Sequence, residues 1–177
     1  SLHIRKIDLY EMRKTMRLDR ITIRNLELFE TQYLHEREGS LFWLLDKTKT
    51  AMGRRLLKQW MLYPLLHVSE IHARQRAIGE LQEQSSLREE IRRQLTSIVD
   101  LERIVSRLTL GLSNARDLLA LKEAFVSVPE INSELSKLKR KPLPTFDPLA
   151  DLLERALVDT PPFSVKEGDM IREGYDK

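Results

Sequence analysis

The 177-residue sequence contains no cysteine. That excludes disulfide scaffolds, zinc–thiolate sites, iron–sulfur clusters and thiolate nucleophiles, and it fits a reducing, cytoplasmic setting. Glycine and proline are scarce, at six and seven residues, and the glycines stand singly. Neither G-x-G-x-x-G nor G-x-x-x-x-G-K-[ST] can be assembled from them, so a phosphate-cradling nucleotide loop is not expected. No apolar run approaches the roughly 20 residues of a membrane span, and the first residues lack the charged-then-apolar layout of a signal peptide. Neither sign of charge dominates: 30 basic and 27 acidic residues leave +3. A nucleic-acid partner is permitted by this balance and not demanded by it.

What is present is helix-forming. Leucine, arginine and glutamate abound, 41% of residues are hydrophobic and 32% charged, which suits a folded chain and argues against disorder. The length fits one domain, since domains cluster at roughly 100 to 150 residues. The expected fold class is mainly α, a multi-helix domain over residues 1–177. Residues 1–30 read as an extended, strand-like entry and residues 159–177 as an extended exit containing Pro161, Pro162, Gly168 and Gly174. Because the sequence starts at Ser1 and stops inside a polar stretch, it also reads as a piece of a longer protein.

Periodicity places the elements. Ile21 and Ile23 alternate with Thr22 and Arg24, and Leu26 and Leu28 with Glu27 and Phe29, close to the period of two of a short strand. Ser40 is a candidate cap for a helix over Leu41–Leu45, and Thr50 for a longer helix that carries Gly53, Leu56, Leu57 and Trp60 and closes at Pro64. Ser69 is read as opening the next helix, and Ser86 with Glu89 as a capping box. Ile98, Leu101, Ile104, Val105 and Leu108 share one side of a helical wheel. Asn114 with Asp117 restarts a helix through Leu118, Leu121 and Phe125, a shorter piece follows Pro129, and Leu149, Leu152, Leu153, Ala156 and Leu157 fit a helical stripe.

Candidate chemistry is sparse. His67 and His72 are five residues apart, which does not set them on one helical face, and solvated histidines are the simpler reading than a metal site. Glu89 and Glu90 point apart on a helix and do not form a carboxylate pair. The feature that stands out is the window Lys47–Ser69, where Lys47, Lys49, Arg54, Arg55 and Lys58 meet no acid. On a wheel Arg54, Arg55 and Lys58 gather opposite Met52, Leu56 and Trp60, a cationic face able to hold DNA phosphates. Pairing with acids elsewhere in the fold is the competing account. Lys137, Lys139, Arg140 and Lys141 read as a solvated linker, and Phe42, Trp43 and Trp60 as core rather than as a base-stacking platform.

Several of these stretches together resemble the core domain of the MutS family of DNA mismatch-repair ATPases. Asp46–Leu57 reads DKTKTAMGRRLL, in the pattern D-x-T-x-T-x-M-G-x-R-x-L. It is preceded by LDRITIRNLEL from Leu18 and followed by WMLYP from Trp60, RQRAIGEL from Arg74, DLERIVSRL from Asp100, ARDLLAL from Ala115 and DTPPFSVKEG from Asp159. Trp43 departs from the family, which more usually has a smaller residue there. The resemblance implies the first half of the core, or lever, domain, between a connector domain and a DNA clamp. It implies a parent that binds mismatched double-stranded DNA, uses ATP and magnesium, and forms a homodimer. The family's mismatch-reading Phe-x-Glu and its Walker motifs are not in these residues, so no catalytic, cofactor or metal residue carries over. The implied role is a structural lever linking the ATPase end to the clamp. The alternative is an autonomous helical DNA-binding module reading through helix 47–58, and a third is a protein-binding adaptor.

Overall fold

A computed structural model describes residues 15–162 and 165–175. Within them lie eight α-helices, α1 Arg20–Asn25, α2 Leu41–Leu45, α3 Ala51–Leu62, α4 Val68–Glu83, α5 Ser85–Leu95, α6 Leu101–Thr109, α7 Ala115–Lys137 and α8 Asp147–Ala156, and a 3-10 turn at Val165–Glu167. The chain is mainly α, as its composition implies. Packing divides it into two compact units: residues 1–47 with 54–79, and residues 48–53 with 80–177.

In the first unit, the alternation at Ile21–Leu28 does not give a strand. Asp19 caps a helix instead, its carboxylate accepting from the Thr22 N–H at 2.6 Å. A side-chain cap that satisfies an orphan amide outweighs a four-residue alternation. Glu27 then takes φ 47°, reversing the chain so that the Glu27 and Leu28 carbonyls accept from the N–H groups of Leu41 and Phe42 at 3.0 and 2.9 Å. Those are two of the four amides that the start of α2 leaves unpaired. Ser40 covers another, accepting from Trp43 N–H at 3.2 Å. Gly39, at φ 88°, makes the turn that precedes this cap and sits in a conformation that costs glycine little. The entry segment is tied down where Thr15 bridges Leu65 and Met16 N–H donates to the Pro64 carbonyl at 2.7 Å; residues 1–14 of the strand-like entry lie outside the described residues.

The second unit is built on α7, against which α5, α6 and α8 pack. Asn114 and Asp117 form a reciprocal capping box at its start. Leu121 and Phe125 bury with Ile104 of α6 and Ala150 of α8, joined by Val99, Leu101, Leu108 and Ala120. A neighbouring cluster joins Ala115 to Leu153 and Leu157, with Leu118, Leu119 and Met170 against it. Phe146, before α8, packs on Phe125 at a ring-centroid distance of 4.8 Å. Residues 170–172 run back along the end of α8: Leu157 bridges Ile171, Val158 N–H donates to Met170 O at 3.1 Å and Arg172 N–H to Ala156 O at 2.8 Å.

Five sequence readings are corrected here. Pro129 does not end a helix; α7 runs through it to Lys137. The missing proline amide leaves one rung of the ladder open, and burial of Ala124, Phe125 and Ile131 on either side holds the helix together. The Ser86–Glu89 capping box does not form, because α5 begins two residues earlier, at Ser85 after Gln84, and has no side-chain cap. Similarly α4 begins at Val68, ahead of Ser69. The α8 stripe is rotated toward Ala150, Leu153, Ala156 and Leu157, leaving Leu149 and Leu152 exposed, and Val105 of α6 is exposed as well.

Candidate functional site

The basic window becomes α3, and its start follows from two residues. Thr50 accepts from the Gly53 N–H at 2.9 Å, the side-chain cap that its position predicts. A Cβ on residue 53 would lie 2.9 Å from that same hydroxyl, so glycine leaves room for the cap. From this start Arg54, Arg55 and Lys58 project toward the turn that carries Phe29 and toward Phe42 of α2.

They do not form an open row. With Arg37, Phe29 and Phe42 they line one cavity of about 280 Å³. Its floor is aromatic, the Phe29 and Phe42 centroids lying 5.6 Å apart. The guanidinium carbons of Arg37 and Arg54 stand 5.2 and 5.9 Å from the Phe42 ring centre, and the Lys58 Nζ stands 5.1 Å from that of Phe29. Cation–π attraction at such distances, of roughly 0.5 to 1 kcal/mol at exposed sites, keeps long side chains from spreading into solvent. Asp46, its side chain nearly buried, draws in Arg37 at 2.7 Å and Arg54 at 3.0 Å through the same Oδ2. Arg37 and Arg54 thus share one carboxylate beside the cavity that Arg55 and Lys58 also line.

Two members of this group escaped the sequence reading. Asp46 sits one residue before the acid-free window, so Arg54 does have the acidic partner that the competing account required. Arg37 belongs to the loop before α2, and nothing in its local pattern connects it with α3; the neighbouring Gly39 and Ser40 were the sole sign of a turn able to bring it back.

The aromatic reading divides. Phe42 is buried, whereas Trp43 and Trp60 are 44% and 41% exposed and are not core residues. Trp60 instead lies under the Arg74 guanidinium, 3.8 Å from the ring centre, because a one-turn helix and an amphipathic α3 do not enclose an indole. His67 and His72 are exposed, and among the described residues no group of three His, Asp or Glu is arranged to hold a metal ion. In the second basic run Lys137 pairs with Glu134 at 2.6 Å and Arg140 with Glu80, so two of its four cations are bound within the fold. No helix among the described residues is long and apolar enough to cross a membrane.

Comparison with known proteins bears on the whole of this chain. A family model described as MutS domain III matches residues 21–176. The DNA mismatch repair protein MutS of Bacillus subtilis is 43% identical over 99% of the chain, that of Bacillus pumilus 42% over 98%, and that of Acetivibrio thermocellus 37% over 99%. In each case the chain spans 21% of the relative's length, about a fifth. The described helices are the mainly α domain expected from the motifs, and the chain belongs to the MutS family, its residues 21–176 matching MutS domain III.

Proposed function

We propose that this chain is the structural lever segment of a DNA mismatch-repair ATPase, linking the nucleotide-hydrolysing end of the parent protein to the part that clamps DNA. The observation that carries the reading is α7. Its 23 residues bury Leu121, Ala124, Phe125 and Ile131 among neighbouring helices. A closely packed helix of this kind moves as a body, because a dense interior does not deform smoothly. The chain itself performs no catalysis. ATP and magnesium, mismatched double-stranded DNA and the connector, clamp and ATPase domains are partners of the parent, which acts as a cytoplasmic homodimer.

Breaking one helix of the second unit tests this. Val105 is exposed on α6, so Val105→Pro removes an amide from the helix ladder at a cost of about 3 kcal/mol without emptying the core. In the full-length parent, mismatched DNA and ATP are each still bound, while the effect of nucleotide on DNA affinity shrinks from the 5- to 150-fold typical of allosteric pairs. DNA affinity measured with and without nucleotide reports this directly. Unchanged coupling in a variant whose circular dichroism is native would reduce the segment to a passive spacer. The isolated chain binds no ATP, and a saturable calorimetric titration with ATP would contradict that.

A further inference from the structure

Six glycines stand in the chain, and four of them have a conformational reason to be glycine. Gly39, Gly111, Gly168 and Gly174 lie at positive φ, between 68° and 88°, where glycine is the residue without strain. Gly53 and Gly79 remain, and both are inside helices, α3 and α4. Packing accounts for Gly53, where a Cβ would crowd the Thr50 cap. At Gly79 a Cβ would meet nothing within 4 Å. Neither a turn nor a close approach calls for glycine there, and glycine weakens a helix relative to alanine. The chain crosses between its two compact units after Lys47, after Gly53 and after Gly79. The first crossing is non-helical, and each crossing made inside a helix follows a helical glycine. We infer that Gly53 and Gly79 are paired hinges, at which α3 and α4 bend and let the two units turn as separate bodies.

Side-chain anchors flank the hinges. Arg54, the residue after Gly53, is held by Asp46 at 3.0 Å, and both belong to the first unit. Glu80, the residue after Gly79, pairs with Arg140, and both belong to the second. Earlier in α4, Arg74 lies over Trp60 of α3. The helix is thus held in the first unit by Arg74 and in the second by Glu80, with Gly79 between. Because packed interiors do not yield gradually, a force on either unit falls on the residues whose φ and ψ are least restricted. Both glycines also lie near a helix end, Gly53 close to Ala51 and Gly79 close to Glu83, where few rungs of the hydrogen-bond ladder must open. The hinges do not rest on the lever reading, since a chain without that role would bend at the same residues.

Pulsed electron spin resonance on the full 177-residue chain tests this, since a sequence with no cysteine takes spin labels only where cysteine is introduced. One pair of exposed sites, Glu70→Cys with Asp151→Cys, reports between the units, and a second, Val105→Cys with Asp151→Cys, reports within the second unit. The distance distribution of the first pair should be broad and that of the second narrow. Gly79→Ala, which fits without a clash, should remove most of the breadth of the first pair, and adding Gly53→Ala should remove the rest. His72→Ala raises helix propensity in α4 away from the crossing and should leave the first pair broad, which separates a hinge from general stiffening of the helix. A first pair already as narrow as the second overturns the inference. Breadth unchanged by the two alanines overturns it as well, and so does equal narrowing by His72→Ala.

Discussion

At the scale of single residues, the caps hold the most local information. Asp19 accepts from the Thr22 amide, and this hydrogen bond keeps its carboxyl below the ordinary carboxylate range. A carboxylate with a depressed folded pKa contributes stability above its unfolded pKa, and that contribution is lost as pH falls through the folded value. The α1 turn should therefore persist through mildly acidic solution and loosen only at strongly acidic pH. A carbon-13 titration of Asp19 with a midpoint at the normal aspartate position would refute this, and Asp19→Asn should keep the cap while abolishing its pH dependence. Glu90 is lowered in the same direction by its hydrogen bonds from Arg93. In the core, Leu121→Ala and Leu153→Ala should each cost about 2 to 5 kcal/mol, the range for truncating a buried leucine. Denaturant midpoints unchanged in both would contradict the buried clusters around α7. Caps such as Ser40, Thr50 and Asn114–Asp117 were legible in the sequence because donor and acceptor lie three residues apart. The environment of Trp43 and Trp60 was not, since burial of an indole depends on what a distant segment brings to cover it.

Whole helices show where local signals compete. The sequence alternation at Ile21–Leu28 and the proline at 129 each favour one local reading, and in each case a stronger interaction decides: the Asp19 cap in α1, and burial on both sides of Pro129 in α7. Pro129→Ala should consequently stabilise the second unit by about 1 kcal/mol or more, because it restores an amide to a helix that forms without it and improves helix propensity. A lower melting temperature in that variant would mean that the proline serves the fold. The start of α3 permits a sharper test through coupling. Gly53→Ala gains roughly 1 kcal/mol of helix propensity and forces the Thr50 hydroxyl out of its capping position, so the two effects nearly cancel. Thr50→Ala alone should cost about 1 kcal/mol, and little once Gly53→Ala is present. Additivity in this double-mutant cycle would show that the 2.9 Å approach does not matter. The same helix explains the partial legibility of the candidate site: Arg54, Arg55 and Lys58 share a face by period alone, while Arg37 and Asp46 join them through turns that no period encodes.

For the molecule as a whole, the two units differ in how much they bury. Of the described hydrophobic residues that are buried, Leu28 and Phe42 belong to the first unit, and Ile104, Leu121, Phe125, Ile131, Leu153 and the remainder to the second. The length of the chain argued for one core and carried no sign of this imbalance, because α3 and α4 each contribute residues to both units. Burial of apolar surface is the principal favourable term in folding, at about 25 cal/mol per Å². Local opening is accordingly easiest where buried contacts are few. The first unit also presents Ile21, Tyr33, Leu34, Trp43, Leu44 and Trp60 to solvent, surface that yields nothing to stability in the chain alone. Native-state hydrogen exchange on the isolated chain should therefore find the amides of α7 and α8 the most protected, opening only with global unfolding. Those of α1, α2 and the turn around Gly39 should open at markedly lower free energy. Thermal unfolding followed at Trp43 and Trp60 should precede the loss of helical signal, departing from two-state behaviour. Coincident transitions, with equal protection in both units, would mean that the few contacts around Phe42 and Leu28 suffice to hold the first unit, and that its exposed aromatic and aliphatic side chains do not weaken it.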